Sequence, residues 1–195
     1  MQLAINDLHV PYQNDELLKL VFKFAKNLKP DKLFILGDLI DFYSISHFDR
    51  DPQRMLNLEN EFRAGREILE QIRGIIKGEI IFIAGNHEDR LRKFLWNNPI
   101  LDGCITLEEK LALKDLDIKY YEYGKNYIYK NKLIYTHGNK INKYSAYTAK
   151  NLLDDLGMSV IFGHSHRLGM HYKTDYGGAK VGVENGCLCD FENAM

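Results

Sequence analysis

Long apolar runs are missing from this 195-residue chain. Nowhere do its hydrophobic residues reach the ~20 consecutive positions that a membrane-spanning helix needs. Cysteine is scarce: Cys104, Cys187 and Cys189 are an odd set of three. That argues against a disulfide framework and for a reducing compartment. Soft thiolate sites gather more cysteines than this, so Cys187 and Cys189, two apart, read as core packing on one face of a strand. Net charge is nearly absent, at -1, so no global basic field advertises nucleic acid. Repeats, linkers and low-complexity tracts are also lacking. The first residues read directly as a strand, so no signal peptide is expected and the expected location is cytoplasmic. With 45% hydrophobic and 27% charged residues, the composition is that of an ordinary globular protein, and one domain over residues 1–195 is expected.

Periodicity supplies the elements. Gln2 to Ile5 reads as a strand, and Glu16 to Leu28 has a helical period that stops before Pro30. Leu33-Phe34-Ile35-Leu36 is too short for a helix and reads as a buried strand ending at Gly37. Phe42 to Arg54 is irregular. A second helical period runs from Pro52 to Gly78, and Ile80 to Ala84 is a third buried strand. A helix then runs from about Asn86 to Trp96, followed by a short one over Leu107 to Leu116. Strands are expected over Ile118 to Tyr123, Tyr127 to Tyr129 and Lys132 to Thr136. A helix over Tyr144 to Leu156 and a strand over Ser159 to Phe162 follow. The tail reads as two or three antiparallel strands ending near Phe191. This order implies α/β layers around a mixed-sheet core.

Each polar cluster falls just after an expected strand, so the clusters can converge at one sheet edge. They are Asp7-Leu8-His9, Gly37-Asp38 with Asp41, Asn86-His87, His137 and His164-Ser165-His166. Any one of them alone reads as a capping or structural residue sooner than as a ligand; five together are hard to dismiss. Imidazoles mixed with carboxylates and an amide suit manganese, iron, zinc, cobalt or nickel better than calcium or magnesium. The donors outnumber what one ion needs, so two divalent ions are implied, manganese first, with Asp38 able to span both. Two such ions bring four positive charges. Asp7, Asp38 and a bridging hydroxide remove three, and the remaining positive charge attracts a phosphate ester.

The set Asp7-Leu8-His9, Gly37-Asp38-Leu39-Ile40-Asp41, Gly85-Asn86-His87-Glu88, His137-Gly138 and Gly163-His164-Ser165-His166 resembles the calcineurin-like metallophosphoesterase superfamily. The resemblance runs from Asp7 to His166. It implies a four-layer α/β/β/α sandwich with a double mixed β-sheet core. It implies Asp7, His9, Asp38 and His166 on the first metal, and Asp38, Asn86, His137 and His164 on the second. It makes His87 the proton donor to the leaving oxygen and Asp41 the group that orients it. Phe42-Tyr43 replaces the Arg-Gly of the serine/threonine protein phosphatases. The capping domain of the nuclease subunits is not expected after this core, and His87 stands where lipid-precursor pyrophosphatases carry Arg. What remains resembles compact single-domain bacterial and phage phosphoesterases.

The activity expected is hydrolysis by in-line attack of a metal-bridging hydroxide, on phosphodiesters of nucleotides or single-stranded nucleic acid. The alternatives are a phosphomonoesterase, or a metal-binding scaffold without catalysis. Arg167, Arg90 and His47 are candidate substrate-binding residues. Arg92, Lys93, Lys140 and Lys143 also flank the clusters, and such charges are often simply solvated. Tyr43, His47, Phe48 and Arg50 can wall the pocket or cover the core. His171 is expected to have no catalytic role. Phe94, Leu95 and Trp96 read as helix packing.

Overall fold

The computed structural model describes residues 1–47, 51, 57–101 and 103–192. Strands β1 (Gln2–Ile5), β2 (Lys32–Leu36), β3 (Glu79–Ile83) and β4 (Ile118–Tyr121) form one sheet in that order, and every pair in it is parallel. Strands β5 (Tyr127–Tyr129), β6 (Leu133–Thr136), β7 (Ser159–Phe162), β8 (Leu168–Asp175) and β9 (Gly178–Asn185) form a second, ordered β5-β6-β7-β9-β8. Its inner pairs are parallel and its two edge pairs antiparallel, so the mixed pairing lies in this sheet.

The layers follow from the period-2 alternation of side chains along a strand. Leu33 and Ile35 of β2, with Ile80 and Phe82 of β3, face helices α1 (Asp15–Leu28) and α2 (Leu58–Ile75). The alternate residues Phe34, Leu36, Ile81 and Ile83 face the second sheet, where Phe34 stacks flat on Tyr135 at 3.7 Å between centroids. On the outer face of that sheet Ile134, Val160 and Phe162 pack under Leu152 and Leu153 of the helix over Tyr147–Leu156. Helix, sheet, sheet, helix is therefore the order of layers, as expected.

The differences lie at element ends. Two further helices, α3 (Asn86–Asn97) and α4 (Leu107–Lys110), precede that last helix, α5. Helix α4 is one turn long, because Ala112 and Asp117 take left-handed backbone. Helix α2 starts at Asn57, whose side chain caps it; residues 52–56 lie outside the described ones. Helix α5 starts three residues later than the pattern suggests, because Ala146 has φ 68°. The tail holds two strands, and the remainder folds back to a single bridge between Gln13 and Cys189. Trp96 is 69% exposed, so it does not pack the helix as expected; Arg92 lies over its ring at 4.1 Å. No helix among the described residues is long and apolar enough to cross a membrane.

Candidate metal centre

Five parallel strands deliver their carboxyl ends to one place. The loops after β1 and β2 are joined by Asp7 N–H to Gly37 C=O at 3.0 Å and His9 N–H to Asp38 C=O at 2.9 Å. Those after β6 and β7 are joined by Gly163 N–H to His137 C=O at 3.1 Å. The fit leaves no spare room. A Cβ on Gly37, already at φ +82°, would lie 2.5 Å from His137 Nδ1, and one on Gly85 would collide with the Asp38 carboxylate. Asp7, His9, Asp38, His164 and His166 all have positive φ. Each such residue costs about 1–3 kcal/mol, a strain that gathers at functional sites.

Two groups of donor atoms result. In the first, Asp7 Oδ1 lies 4.0 Å from His9 Nε2 and 3.6 Å from His166 Nε2, while those two nitrogens are 3.0 Å apart. Asp38 Oδ2 is 3.8 Å from His9 Nε2. In the second, Asp38 Oδ2 is 3.3 Å from His137 Nε2, which is 2.9 Å from Asn86 Oδ1. His164 joins Asp38 and His137, with donor atoms within 4.8 Å of one another. Asp38 Oδ2 thus stands between the groups.

These donors fit divalent ions. Asp7 is fully buried, and its Oδ1 has no hydrogen-bond partner among the described residues, although its Oδ2 accepts from Asn6 and from His164 N–H. A buried carboxylate oxygen left bare is costly unless a cation covers it. His137 donates Nδ1–H to Leu36 C=O at 2.7 Å, which turns the lone pair of a neutral Nε2 toward Asn86 Oδ1. Two lone pairs that close repel until a cation or a proton lies between them.

The electrostatics say which one is present without metal. Burial alone would lower the His137 pKa, but Asp38 and Asp7 outweigh it and raise it to about 10. Burial and the nearby His137 lower His164 to about 4, so it is already neutral. Burial raises the Asp38 carboxyl, yet His137, His87 and His9 hold it well below the usual range. The His137 proton therefore supports the metal-free fold fully below about pH 6.5, and that support is lost as pH rises through about 10. Binding an ion must expel this proton. Calorimetric titration of metal-free protein at pH 7.5, in buffers of different ionisation heat, is expected to show at least one proton released per chain. No release would mean that His137 is neutral before the ion arrives.

His87 lies beside both groups. Its ring meets His9 edge-on at 4.3 Å, and its Nε2 is 3.9 Å from Asp38 Oδ2. Nδ1–H donates to Asp41 C=O at 2.7 Å. Asp41 Oδ1 is 3.2 Å from His87 Nδ1 and 3.0 Å from His9 Nδ1, so its carboxylate serves two imidazoles rather than one. Burial raises the Asp41 pKa, but both imidazoles outweigh it and hold it far below the carboxylate range.

Two buried glutamates were not singled out as functional by the sequence. Glu88 reaches back from the first turn of α3 and accepts from Gly85 N–H at 2.7 Å, Asp38 N–H at 2.9 Å and Ile40 N–H at 3.1 Å. It thereby clamps the Asp38 loop to the Asn86 loop. The signal was present, since a Glu three residues after an N-cap marks a capping box. Glu61 of α2 holds the turn after Asp41 in the same way, accepting from Tyr43 N–H at 2.7 Å and from the Ser44 hydroxyl. Phe42 is fully buried against Phe62, as a covering segment requires.

The candidate substrate residues part company. Arg90 donates Nη1–H to Asp41 C=O at 2.8 Å and directs Nη2 at His87 Nε2 at 3.0 Å. Arg167 keeps its Nη1 buried with no partner among the described residues. His47 is exposed at the edge of the described segment, and Phe48 and Arg50 lie outside it. Arg92 and Lys93 both pair with Asp89, and Lys140 pairs with Asp155. Cys189 is buried, as core packing requires, and its Sγ also lies 3.9 Å from His166 Nδ1.

The profile of the calcineurin-like phosphoesterase family matches residues 3–168. The gene 54 proteins of Mycobacterium phages L5 and D29 are 28% and 27% identical over 193 residues, covering 90% of this chain and 73% of each relative. A solved crystal structure matches 94% of this chain and 89% of its own at a TM-score of 0.50 and 9% identity, which is a likeness of fold. With the family profile spanning every strand-end loop that builds the centre, the chain belongs to the calcineurin-like phosphoesterase family and is a metal-dependent phosphoesterase.

Proposed function

We propose that residues 1–195 work as one catalytic unit in the cytoplasm, a dinuclear-metal phosphodiesterase acting on nucleotide or nucleic-acid esters. The observation that carries the reading is the position of Asp38 Oδ2 between two donor groups, 3.8 Å from His9 Nε2 and 3.3 Å from His137 Nε2. Asp7, His9, Asp38 and His166 would hold one ion, and Asp38, Asn86, His137 and His164 the other. Divalent ions bound there, manganese best, would supply an activated water and neutralise the phosphoryl oxygens.

The chain's own residues do the rest. His87 gives a proton to the departing oxygen from Nε2. That nitrogen faces Arg90 Nη2 at 3.0 Å, so Arg90 must turn aside when substrate enters. An incoming phosphate is the natural place for its guanidinium to turn. Arg167, whose buried Nη1 has no partner among the described residues, is the second cation available to phosphate. A site balanced to about +1 suits a diester, which carries one negative charge.

Side-by-side kinetics on p-nitrophenyl and bis(p-nitrophenyl) phosphate test this, using metal-free protein reloaded with manganese. The diester is expected to be preferred and magnesium to restore less activity. A monoester preference of tenfold or more in kcat/KM would move the assignment to a phosphomonoesterase.

A further inference from the structure

The loop leaving His137 carries groups that the metal centre does not use. Ile141, Tyr144 and Tyr147 are each more than half exposed. The rings of Tyr144 and Tyr147 meet edge to face at 5.7 Å. Lys143 Nζ lies 5.3 Å from the Tyr144 ring centre, and among the described residues no carboxylate pairs with it.

This loop is held in place. Asn142 N–H donates to Thr148 Oγ1 at 3.1 Å, Asn151 Nδ2 to Asn142 Oδ1 at 3.2 Å, and Tyr147 N–H to Tyr144 C=O at 3.2 Å. Between the tyrosines, Ala146 sits at φ 68° and donates its N–H to Glu184, a fully buried carboxylate. A left-handed alanine and a buried carboxylate with one oxygen bare among the described residues both cost stability. Docking is tight as well: a Cβ on Gly169 would be 2.7 Å from Ala146 N. Gly169 lies two residues past Arg167 and three past His166, so the segment carrying the aromatic pair docks on the strand that leaves the His164–His166 loop.

We propose that Tyr144, Tyr147 and Lys143 form a subsite for single-stranded nucleic acid. A base next to the scissile diester stacks on the tyrosines, and Lys143 and Arg167 take the flanking phosphates. This rests on the phosphodiesterase reading above. Exposed aromatics interleaved with cations fit an unpaired strand, whose bases offer free faces. A duplex does not, and a net charge of -1 limits duplex binding through counterion release.

The test uses the metal-loaded full chain with bis(p-nitrophenyl) phosphate, an oligothymidylate and an abasic oligomer of equal length. For wild type the abasic strand is expected to be a poorer substrate, by about tenfold. In the Tyr144→Ala/Tyr147→Ala variant, the ratio of kcat/KM for oligothymidylate to that for the small diester should fall about tenfold, mostly through KM. Tyr144→Phe/Tyr147→Phe should restore it. Should the alanine pair fail to fold, Lys143→Glu must lower the same ratio. An unchanged ratio, or an abasic strand cleaved as well as the thymidylate, overturns the subsite. Wild type that cleaves the small diester but no oligonucleotide also overturns it and leaves the phosphodiesterase reading standing. Failure on the small diester itself overturns that reading instead.

Discussion

Asp38→Asn is expected to leave the chain folded and to strip it of both ions. One oxygen of Asp38 has a structural duty, accepting from His87 N–H at 2.9 Å, and an asparagine carbonyl can take it over. The other oxygen then becomes an amide nitrogen. It would point two hydrogens into the space where Oδ2 now faces His9 Nε2 and His137 Nε2 at 3.8 and 3.3 Å. The variant loses a negative charge and the lone pairs shared by both groups. Altering a residue that only supports a ligand costs about 10–100-fold in metal affinity, and removing a shared ligand should exceed that at each site. Elemental analysis after gel filtration should fall from two ions per chain toward none, and the metal-free form should melt at a lower temperature than wild type, because Asp38 no longer holds the His137 proton. If one ion stayed bound at full occupancy, Asp38 would not be shared.

Much of this centre was legible because its donors sit at strand ends. A buried strand has a short apolar signature, and Leu33 to Leu36 and Ile80 to Ala84 both show it. The residues just past each such strand must then lie at the sheet edge. Asp38, Asn86, His137 and His164 could therefore be grouped from the order of residues alone. Their convergence is observed in the contacts between loops after different strands, such as Gly163 N–H to His137 C=O.

The supports beneath the donors were not legible, since they depend on reach across the fold. Glu88 meets Asp38 and Ile40 across 50 and 48 residues of sequence. Glu184 meets Ala146 across 38, and it moves the start of α5 that periodicity placed at Tyr144. Cys189 is buried as expected, but nothing in sequence brings it to His166, 23 residues away. Trp96 read as helix packing together with its neighbours Phe94 and Leu95. Its exposure under Arg92 is a choice of helix face that the short apolar run Phe94-Leu95-Trp96 left open. In each case a tertiary contact decides what local pattern leaves undetermined.

His87→Ala should separate binding from chemistry. The variant is expected to keep two ions and to lose about 10²–10⁴-fold in kcat, the usual worth of a positioned general acid. Retention follows from the contacts: the bond from His87 to Asp38 Oδ1 is made by the backbone N–H and survives truncation. A donor atom of the His87 ring lies within 4.8 Å of those of His9 and Asp38, but that ring is assigned to proton donation and to neither ion. The loss should depend on the leaving group, smallest for a nitrophenolate that departs without a proton and largest for an alkyl or ribose alkoxide. Asp41→Asn offers the contrast, because Asp41 Oδ1 is 3.2 Å from His87 Nδ1 and 3.0 Å from His9 Nδ1. That variant should disturb proton donation and the first ion together, and it should show both lower kcat and weaker metal binding. Metal content measured beside kcat on a series of aryl and alkyl diesters decides the matter. Loss of an ion from His87→Ala would make His87 a ligand, and a uniform loss across the series would remove it from the proton-donating step.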